Sequence, residues 1–173
     1  ELKLAITFDD GYADTLHIAT PILQELKLPY TVFVATDYVK KKKEGFLSRT
    51  ELKELSSYAN VDIGSHTASH PYLTTLSDQQ IIEELRSSKE FLEDLLAKEI
   101  TLFAYPHGDY NQRVRDLVSE AGYKIARNSK FTTNKIIEDK LLVSSSEVWN
   151  TDSIEVFQDK IDGYWDWLST VQR

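Results

Sequence analysis

Carboxylates and imidazoles are grouped in short segments of this sequence. Asp9 and Asp10 stand side by side, and His66 and His70 are four residues apart. Adjacent carboxylates can serve two roles, because one can bind a metal ion while the other stays free as a base. Two imidazoles on one face of a helical turn can share a metal ion. These four side chains are therefore candidates for a catalytic metal site.

Each segment also has a purely structural explanation. Asp-Asp-Gly is typical of a turn, and His66 and His70 could be solvated surface residues. In a third segment, Tyr105 to Tyr110, a Pro-His-Gly turn could aim a backbone N–H into a cleft as an oxyanion donor. Its histidine, His107, could be a metal ligand, a general acid or a loop residue.

The composition limits the chemistry. The 173 residues include no Cys, no Met and only four His. Any metal must therefore be held by His, Asp or Glu. Because Met is absent, we expect Glu1 not to be the first translated residue and the chain to be trimmed. A net charge of −8 argues against nucleic acid as a partner, and no apolar run approaches the roughly 20 residues of a membrane span.

Segments rich in β-branched and aromatic residues alternate with amphipathic segments. About six strands are predicted, at 2–8, 30–35, 61–64, 101–105, 123–126 and 141–149. Helices are predicted at 13–26, after Ser48, and at 78–97, 111–120 and 154–161. Two helix starts carry capping boxes, Ser48 with Glu51 and Ser77 with Gln80.

Strand–helix alternation predicts an α/β fold with a mainly parallel sheet and right-handed crossovers. An open doubly wound sheet and a barrel fit this pattern equally well. In both architectures the chemistry gathers at the carboxyl ends of the strands. The three segments follow the first, third and fourth predicted strands, so we expect them to meet.

The combination of segments resembles a known family. Residues 7–11 read T-F-D-D-G, residues 65–71 match S-H-T-x-x-H-P, and residues 103–108 read F-A-Y-P-H-G. These motifs are similar to those of the polysaccharide deacetylases of the NodB homology type, carbohydrate esterase family 4. The third motif resembles the form seen in the poly-N-acetylglucosamine deacetylase branch. The resemblance runs to about residue 128.

The resemblance implies a fold and a metal site. It implies an irregular, TIM-like (β/α) barrel with fewer than eight strands, in one domain spanning 1–173 that is trimmed at one or both ends. It also implies that a divalent metal, usually zinc, is bound by Asp10, His66 and His70. The same donors also accept cobalt, nickel or iron.

The resemblance assigns further roles. Asp9 is implied to be the general base, and the backbone N–H of His107 to help form the oxyanion hole. Ser65 or Thr67 is implied to steady the metal-binding loop. The implied reaction is N-deacetylation of a polysaccharide or oligosaccharide that contains N-acetylglucosamine, in the cell envelope or another extracytoplasmic place.

The sequence departs from the family pattern at three places. Ala104 stands where many members carry an Arg that orients the base, although the poly-N-acetylglucosamine branch also has Ala there. His107 replaces an aromatic residue. No His follows His107, so the late L-x-x-H motif and its usual general acid are missing. The acid could be His107, a metal-bound water, a residue beyond a trimmed end, or absent.

Aromatic side chains can stack on sugar rings, and Tyr105, Tyr110 and Trp149 fall at or near predicted strand ends. Core packing is the alternative for Trp149, while Trp165 and Trp167 are expected to pack the last helix. Two other functions stay open: a catalytically weak glycan-binding domain, and a hydrolase of a small non-sugar amide or an O-acetyl ester. The sequence carries no information on the oligomeric state.

Overall fold

A computed structural model describes residues 4–134, 137–166 and 168. Five parallel strands form one curled sheet, a half-barrel, in the order β1-β2-β3-β4-β5. The strands are β1 (Ile6–Phe8), β2 (Tyr30–Val34), β3 (Val61–Ser65), β4 (Leu102–Ala104) and β5 (Ile125–Arg127). This architecture confirms the expected α/β barrel-like fold with fewer than eight strands.

Six α-helices lie in the described part of the chain: α1 (Thr20–Glu25), α2 (Thr36–Lys40), α3 (Arg49–Ser57), α4 (Asp78–Leu96), α5 (Gln112–Glu120) and α6 (Ile154–Asp162). Short 3-10 turns occur at Leu73–Thr75 and Pro106–Gly108. Both predicted capping boxes are confirmed, since Ser48 and Ser77 exchange hydrogen bonds with Glu51 and Gln80.

The first predicted helix is not a continuous α-helix. A π-helical turn (Thr15–Ala19) precedes α1. Thr20 bonds the carbonyl of Thr15 with both its backbone N–H and its hydroxyl, the latter at 2.7 Å. Pro21 follows and has no N–H with which to continue an α-helical ladder. The sequence therefore widens the first turn before α1 begins.

The predicted strand at 141–149 is wrong in extent. Within 141–149 only Val143 forms a bridge with β5, an isolated parallel bridge to Arg127. Both backbone groups of the next residue, Ser144, bond the side chain of Asn134, at 2.7 and 2.9 Å, so they do not extend the ladder. The described sheet has five strands for this reason, not six.

The structure describes only part of the C-terminal tail, whose tryptophans were predicted to pack the last helix. The ring of Trp165 lies 6.1 Å from that of Phe131. Trp167 lies outside the described residues, as do the first residues of the predicted strand 2–8. No helix within 4–134, 137–166 and 168 combines the length and the apolar character needed to cross a membrane.

Helix α4 links the core to the end of β3. Its side chains Ile81, Leu85 and Leu92 are fully buried. Ser88 of the same helix is also fully buried, and its hydroxyl lies 2.8 Å from that of Ser65 at the end of β3. The apolar contacts hold α4 against the sheet, while the buried hydroxyl pair ties it to the strand end.

We expect Leu85→Ala to lower the free energy of unfolding by about 3 kcal/mol, because it leaves a cavity where α4 meets the core. The matched variant Ile82→Ala removes a side chain that is 38% exposed on the same helix, and should cost less than about 1 kcal/mol. Urea denaturation measures both values. Equal losses would contradict the placement of this helix face.

Candidate active site

The carboxyl ends of the parallel strands bring the predicted segments together. Parallel pairing continues past the strands, since Ala35 N–H donates to Asp10 O at 3.3 Å and His66 N–H donates to Val34 O at 3.0 Å. The residues after β1 and β3 therefore flank the end of β2. This local ladder places Asp10 and His66 on neighbouring positions of one edge.

Asp10, His66 and His70 form a compact cluster of possible metal ligands. Asp10 Oδ1 lies 3.5 Å from His66 Nε2 and 3.2 Å from His70 Nε2. The two Nε2 atoms are 3.1 Å apart. One ligand atom from each residue lies within 4.8 Å of the others. The three side chains that the sequence analysis singled out are thus brought together.

The protonation states fit a bound cation. His66 Nδ1 lies 2.8 Å from Ala104 O, so this nitrogen donates and Nε2 keeps its lone pair. Burial lowers the pKa of His66. Burial and the neighbouring His66 lower the pKa of His70 to about 4. Both imidazoles are therefore neutral near pH 7, the form that binds a metal.

An unsatisfied carboxylate oxygen also fits a metal site. Asp10 Oδ1 is buried and has no hydrogen-bond partner in the described part of the molecule. A buried anionic oxygen without a partner is costly, and a cation at this place would satisfy it. One carboxylate and two imidazoles are a donor set that suits zinc and similar divalent transition metals.

The loop that carries the histidines is not the predicted helical turn. Thr67 and His70 have φ angles of 65° and 64°, in the left-handed region, which interrupts any helix. Thr67 Oγ1 accepts from His70 N–H at 3.0 Å, and Ser65 Oγ accepts from Thr67 N–H at 3.3 Å. Both hydroxyls therefore hold the loop in the conformation in which the two Nε2 atoms meet.

Glu84 is a loop-holding residue that the sequence analysis missed. Its Oε2 accepts from Ala68 N–H at 2.9 Å and Ser69 N–H at 2.8 Å, and its Oε1 accepts from Ser69 Oγ at 2.6 Å. Nothing in the sequence distinguishes it from the other acidic residues of α4. Only the docking of that helix against β3 brings its carboxylate beneath the loop.

Asp9 forms an ion pair with Arg127, another residue that the sequence analysis missed. Burial acts to raise the pKa of Asp9, but the charge of Arg127 and its hydrogen bond to the carboxylate act in the other direction, and the pKa lies below its ordinary value. Asp9 is therefore ionised at neutral pH beside the second carboxylate, Asp10. The position of Arg127 directly after a predicted strand was the available signal.

His107 lies at the third segment, next to the cluster. Its ring centroid is 4.4 Å from that of His70, and its ring stacks on Tyr72 at 3.9 Å with an angle of 11°. Its φ of 59° is left-handed. Gly108 follows with a φ of 64°, and a Cβ there would lie 2.9 Å from Ser129, so this tight turn requires glycine.

The three aromatic residues predicted to contact sugar differ in exposure. Tyr105 is 1% exposed and its hydroxyl donates to Leu141 O at 3.0 Å, so the structure places it in the core and not on a sugar-binding surface. Tyr110 is half-buried against it. Trp149 is 53% exposed and contacts Phe131; its role in sugar binding stays a prediction.

Comparison with known proteins agrees with this fold and site. The model of the family "Polysaccharide deacetylase" matches residues 1–126. A peptidoglycan-N-acetylglucosamine deacetylase of Bacillus cereus is 34% identical over 128 residues, which cover 72% of this chain and 55% of that protein. A poly-beta-1,6-N-acetyl-D-glucosamine N-deacetylase of Staphylococcus aureus is 30% identical over 132 residues, which cover 69% of this chain and 45% of that protein.

A solved structure of a polysaccharide deacetylase has the same fold. BC0361, a polysaccharide deacetylase from Bacillus cereus, superposes with a TM-score of 0.78 at 29% identity, over 90% of this chain and 50% of that one. The chain described here belongs to the polysaccharide deacetylase family. It spans about half the length of these relatives.

We expect Glu84→Ala to weaken zinc binding at the candidate centre by about tenfold or more, because residues that hold metal ligands in place typically contribute that much affinity. Competition with a chromogenic chelator measures the dissociation constant. Glu83→Ala is the matched control, since Glu83 is exposed on the same helix. Equal affinities for the two variants would show that Glu84 does not support the loop.

Proposed function

We propose that this chain is a metal-dependent hydrolase that removes N-acetyl groups from a polysaccharide or oligosaccharide containing N-acetylglucosamine. The observation that carries the proposal is the convergence of Asp10, His66 and His70 beside the ionised carboxylate of Asp9, in a chain of the polysaccharide deacetylase family. Two relatives are named for N-acetylglucosamine polymers. Their names also support a substrate in the cell envelope or outside the cell.

Asp10, His66 and His70 would hold the metal. Members of this family are metalloenzymes in general, and three protein ligands leave a position open, as in catalytic zinc sites. A zinc ion held there would lower the pKa of a water molecule and polarise a carbonyl oxygen. Another divalent transition metal with the same preference for N and O donors could serve in its place.

The remaining residues act on the proton and the developing charge. The ionised Asp9 accepts a proton as the water oxygen forms a bond to the acetamide carbon. The backbone N–H of His107 donates to the carbonyl oxygen as it becomes negative. The C–N bond then breaks as the departing amine takes a proton. The exposed imidazole of His107, beside His70, is our candidate for the acid that supplies this proton. Asp9 then gives up its proton to water and His107 regains one from water, which returns both groups to their starting states.

Exposed aromatic rings on two sides of the cluster support a sugar substrate. Tyr72 is 55% exposed and stacks on His107. Tyr12 is 46% exposed and stacks on Phe46, 4.5 Å away. Burial and the charge of Asp10 raise the pKa of Tyr12, so its hydroxyl stays neutral close to the cluster. Such rings offer flat apolar faces to the C–H faces of a sugar.

The zinc-loaded protein should release acetate from chito-oligosaccharides, poly-β-1,6-N-acetylglucosamine or peptidoglycan, and a chelator should abolish the release. Asp9→Asn should lower kcat by about 10²- to 10⁴-fold, because it removes the base. Asp14→Asn, at an exposed position nearby, is the control and should keep its activity.

A substrate panel separates the proposal from its alternatives. Glycan binding without acetate release would indicate a glycan-binding domain. Turnover of O-acetyl esters or small amides alone would indicate a different leaving group. Release that survives both the chelator and Asp9→Asn would contradict the proposed mechanism.

Tyr72→Ala should raise KM for oligosaccharides about fivefold with little change in kcat, since it removes ~1 kcal/mol of apolar contact with a sugar ring. Tyr72→Phe keeps the ring and should keep KM. The control is Tyr164→Ala, because Tyr164 is 71% exposed in the C-terminal segment. An unchanged KM in Tyr72→Ala would remove this ring from the substrate surface.

A further inference from the structure

We infer that Arg127 is the positioning residue of the Asp9 carboxylate, and that it acts from β5 in place of an arginine on the neighbouring strand β4. The inference rests on the proposed function, in which Asp9 is the base. It concerns a contact between residues 118 positions apart in the sequence.

The guanidinium is held on several sides. Arg127 Nη2 donates to Asp9 Oδ1, and Nη1 donates to Ser145 Oγ at 3.1 Å. The Ser145 hydroxyl in turn donates to Asn128 O at 2.7 Å. The guanidinium carbon lies 5.3 Å from the ring centroid of Phe33. With its side chain 10% exposed, Arg127 has little freedom to leave this position.

The contact uses only one oxygen of the carboxylate. Asp9 Oδ1 accepts from Arg127, whereas Oδ2 has no hydrogen-bond partner within 4–134, 137–166 and 168. A carboxylate held by one oxygen has a defined orientation, and the second oxygen stays available to accept a proton. This is the arrangement that a general base requires.

The sheet register explains why β5 can supply this arginine. Ala104 of β4 is paired with Arg127 of β5 in the parallel ladder. Side chains of paired residues on neighbouring strands project from the same face of a sheet. A long cationic side chain from either position would therefore extend from the same face of the sheet at the same level along the strands. Ala104 contributes only a methyl group, and Arg127 occupies the space beside it.

A purely structural role explains the geometry less well. Arg127 Nε is buried without a hydrogen-bond partner in the described residues, and an unpaired buried donor carries a desolvation cost. In the conformation that leaves Nε–H unpaired, Nη2 is directed at Asp9. Unsatisfied buried groups of this kind call for an explanation, and the orientation of the base provides one.

The test compares four proteins: wild type, Arg127→Ala, Arg127→Lys, and the exchange variant Arg127→Ala with Ala104→Arg. We expect Arg127→Ala to lower kcat for acetate release by about 10²-fold, while KM and the zinc dissociation constant stay within about twofold of wild type. The kcat of Arg127→Lys should lie between those of wild type and Arg127→Ala. The exchange variant should recover at least about tenfold of the lost kcat, because it restores a guanidinium at the same edge.

A crystal structure of Arg127→Ala gives a readout that does not depend on activity. The Asp9 carboxylate should leave its wild-type rotamer while Asp10, His66 and His70 keep theirs. Arg115→Ala is the matched control, since Arg115 forms an ion pair with Asp139 outside this cluster, and it should keep wild-type kcat.

The outcomes are distinguishable. A wild type that releases no acetate overturns the proposed function, and the rotamer of Asp9 then decides the positioning role by itself. An active wild type with unchanged kcat in Arg127→Ala overturns this inference alone. If Arg127→Ala does not fold, the test uses Arg127→Lys. A lower kcat with unchanged KM and zinc affinity would support the inference. If kcat, KM and zinc affinity all worsen together, the role of Arg127 is purely structural and the inference is overturned.

Discussion

The parallel pairing of β1, β2 and β3 is the constraint on which the candidate site depends. The backbone bonds from Ala35 to Asp10 and from His66 to Val34 extend this pairing beyond the strands. Two segments more than fifty residues apart thereby reach the same edge. Without this ladder, neither the carboxylate of Asp10 nor the imidazole of His66 would have a defined position. The loop that follows His66 could then not bring His70 into contact with them.

Backbone strain is concentrated around this edge. In the described part of the chain seven residues other than glycine have left-handed φ angles. Four of them lie in the candidate site, namely Asp10, Thr67, His70 and His107. Such conformations persist only where surrounding contacts hold them. Glu84 and the Thr67 hydroxyl provide these contacts by accepting hydrogen bonds from the histidine loop, so the rest of the fold stabilises a local geometry that the loop alone would not adopt.

The two negative charges of the site are offset by neighbouring groups. Asp9 and Asp10 are adjacent and both near the buried His66, which is neutral at pH 7 because burial lowers its pKa. Arg127 offsets the first carboxylate, and a cation between Asp10 and the two imidazoles would offset the second. Each negative charge would then have its own partner, as the different roles proposed for the two adjacent acids require.

The sequence by itself determined the features that depend on nearby residues. The capping boxes at Ser48 and Ser77 need only three residues of spacing. The T-F-D-D-G and S-H-T-x-x-H-P segments are enough to mark Asp10, His66 and His70 as candidate metal ligands. Strand–helix alternation was also enough to predict a parallel sheet. These signals are local, because capping, alternation and motif spacing are all set within a few residues of the chain.

Tertiary structure decided what depends on register and docking. The pairing of β4 with β5 brings Arg127 to Asp9, and the docking of α4 brings Glu84 to the histidine loop. Arg127 directly follows a predicted strand, but the surrounding sequence identifies neither Asp9 as its partner nor Glu84 as a residue that holds the loop. The burial of Tyr105 was decided in the same way, by the chain around Leu141 that covers it. Contacts between distant segments depend on how whole elements pack, and the sequence around one residue does not contain that information.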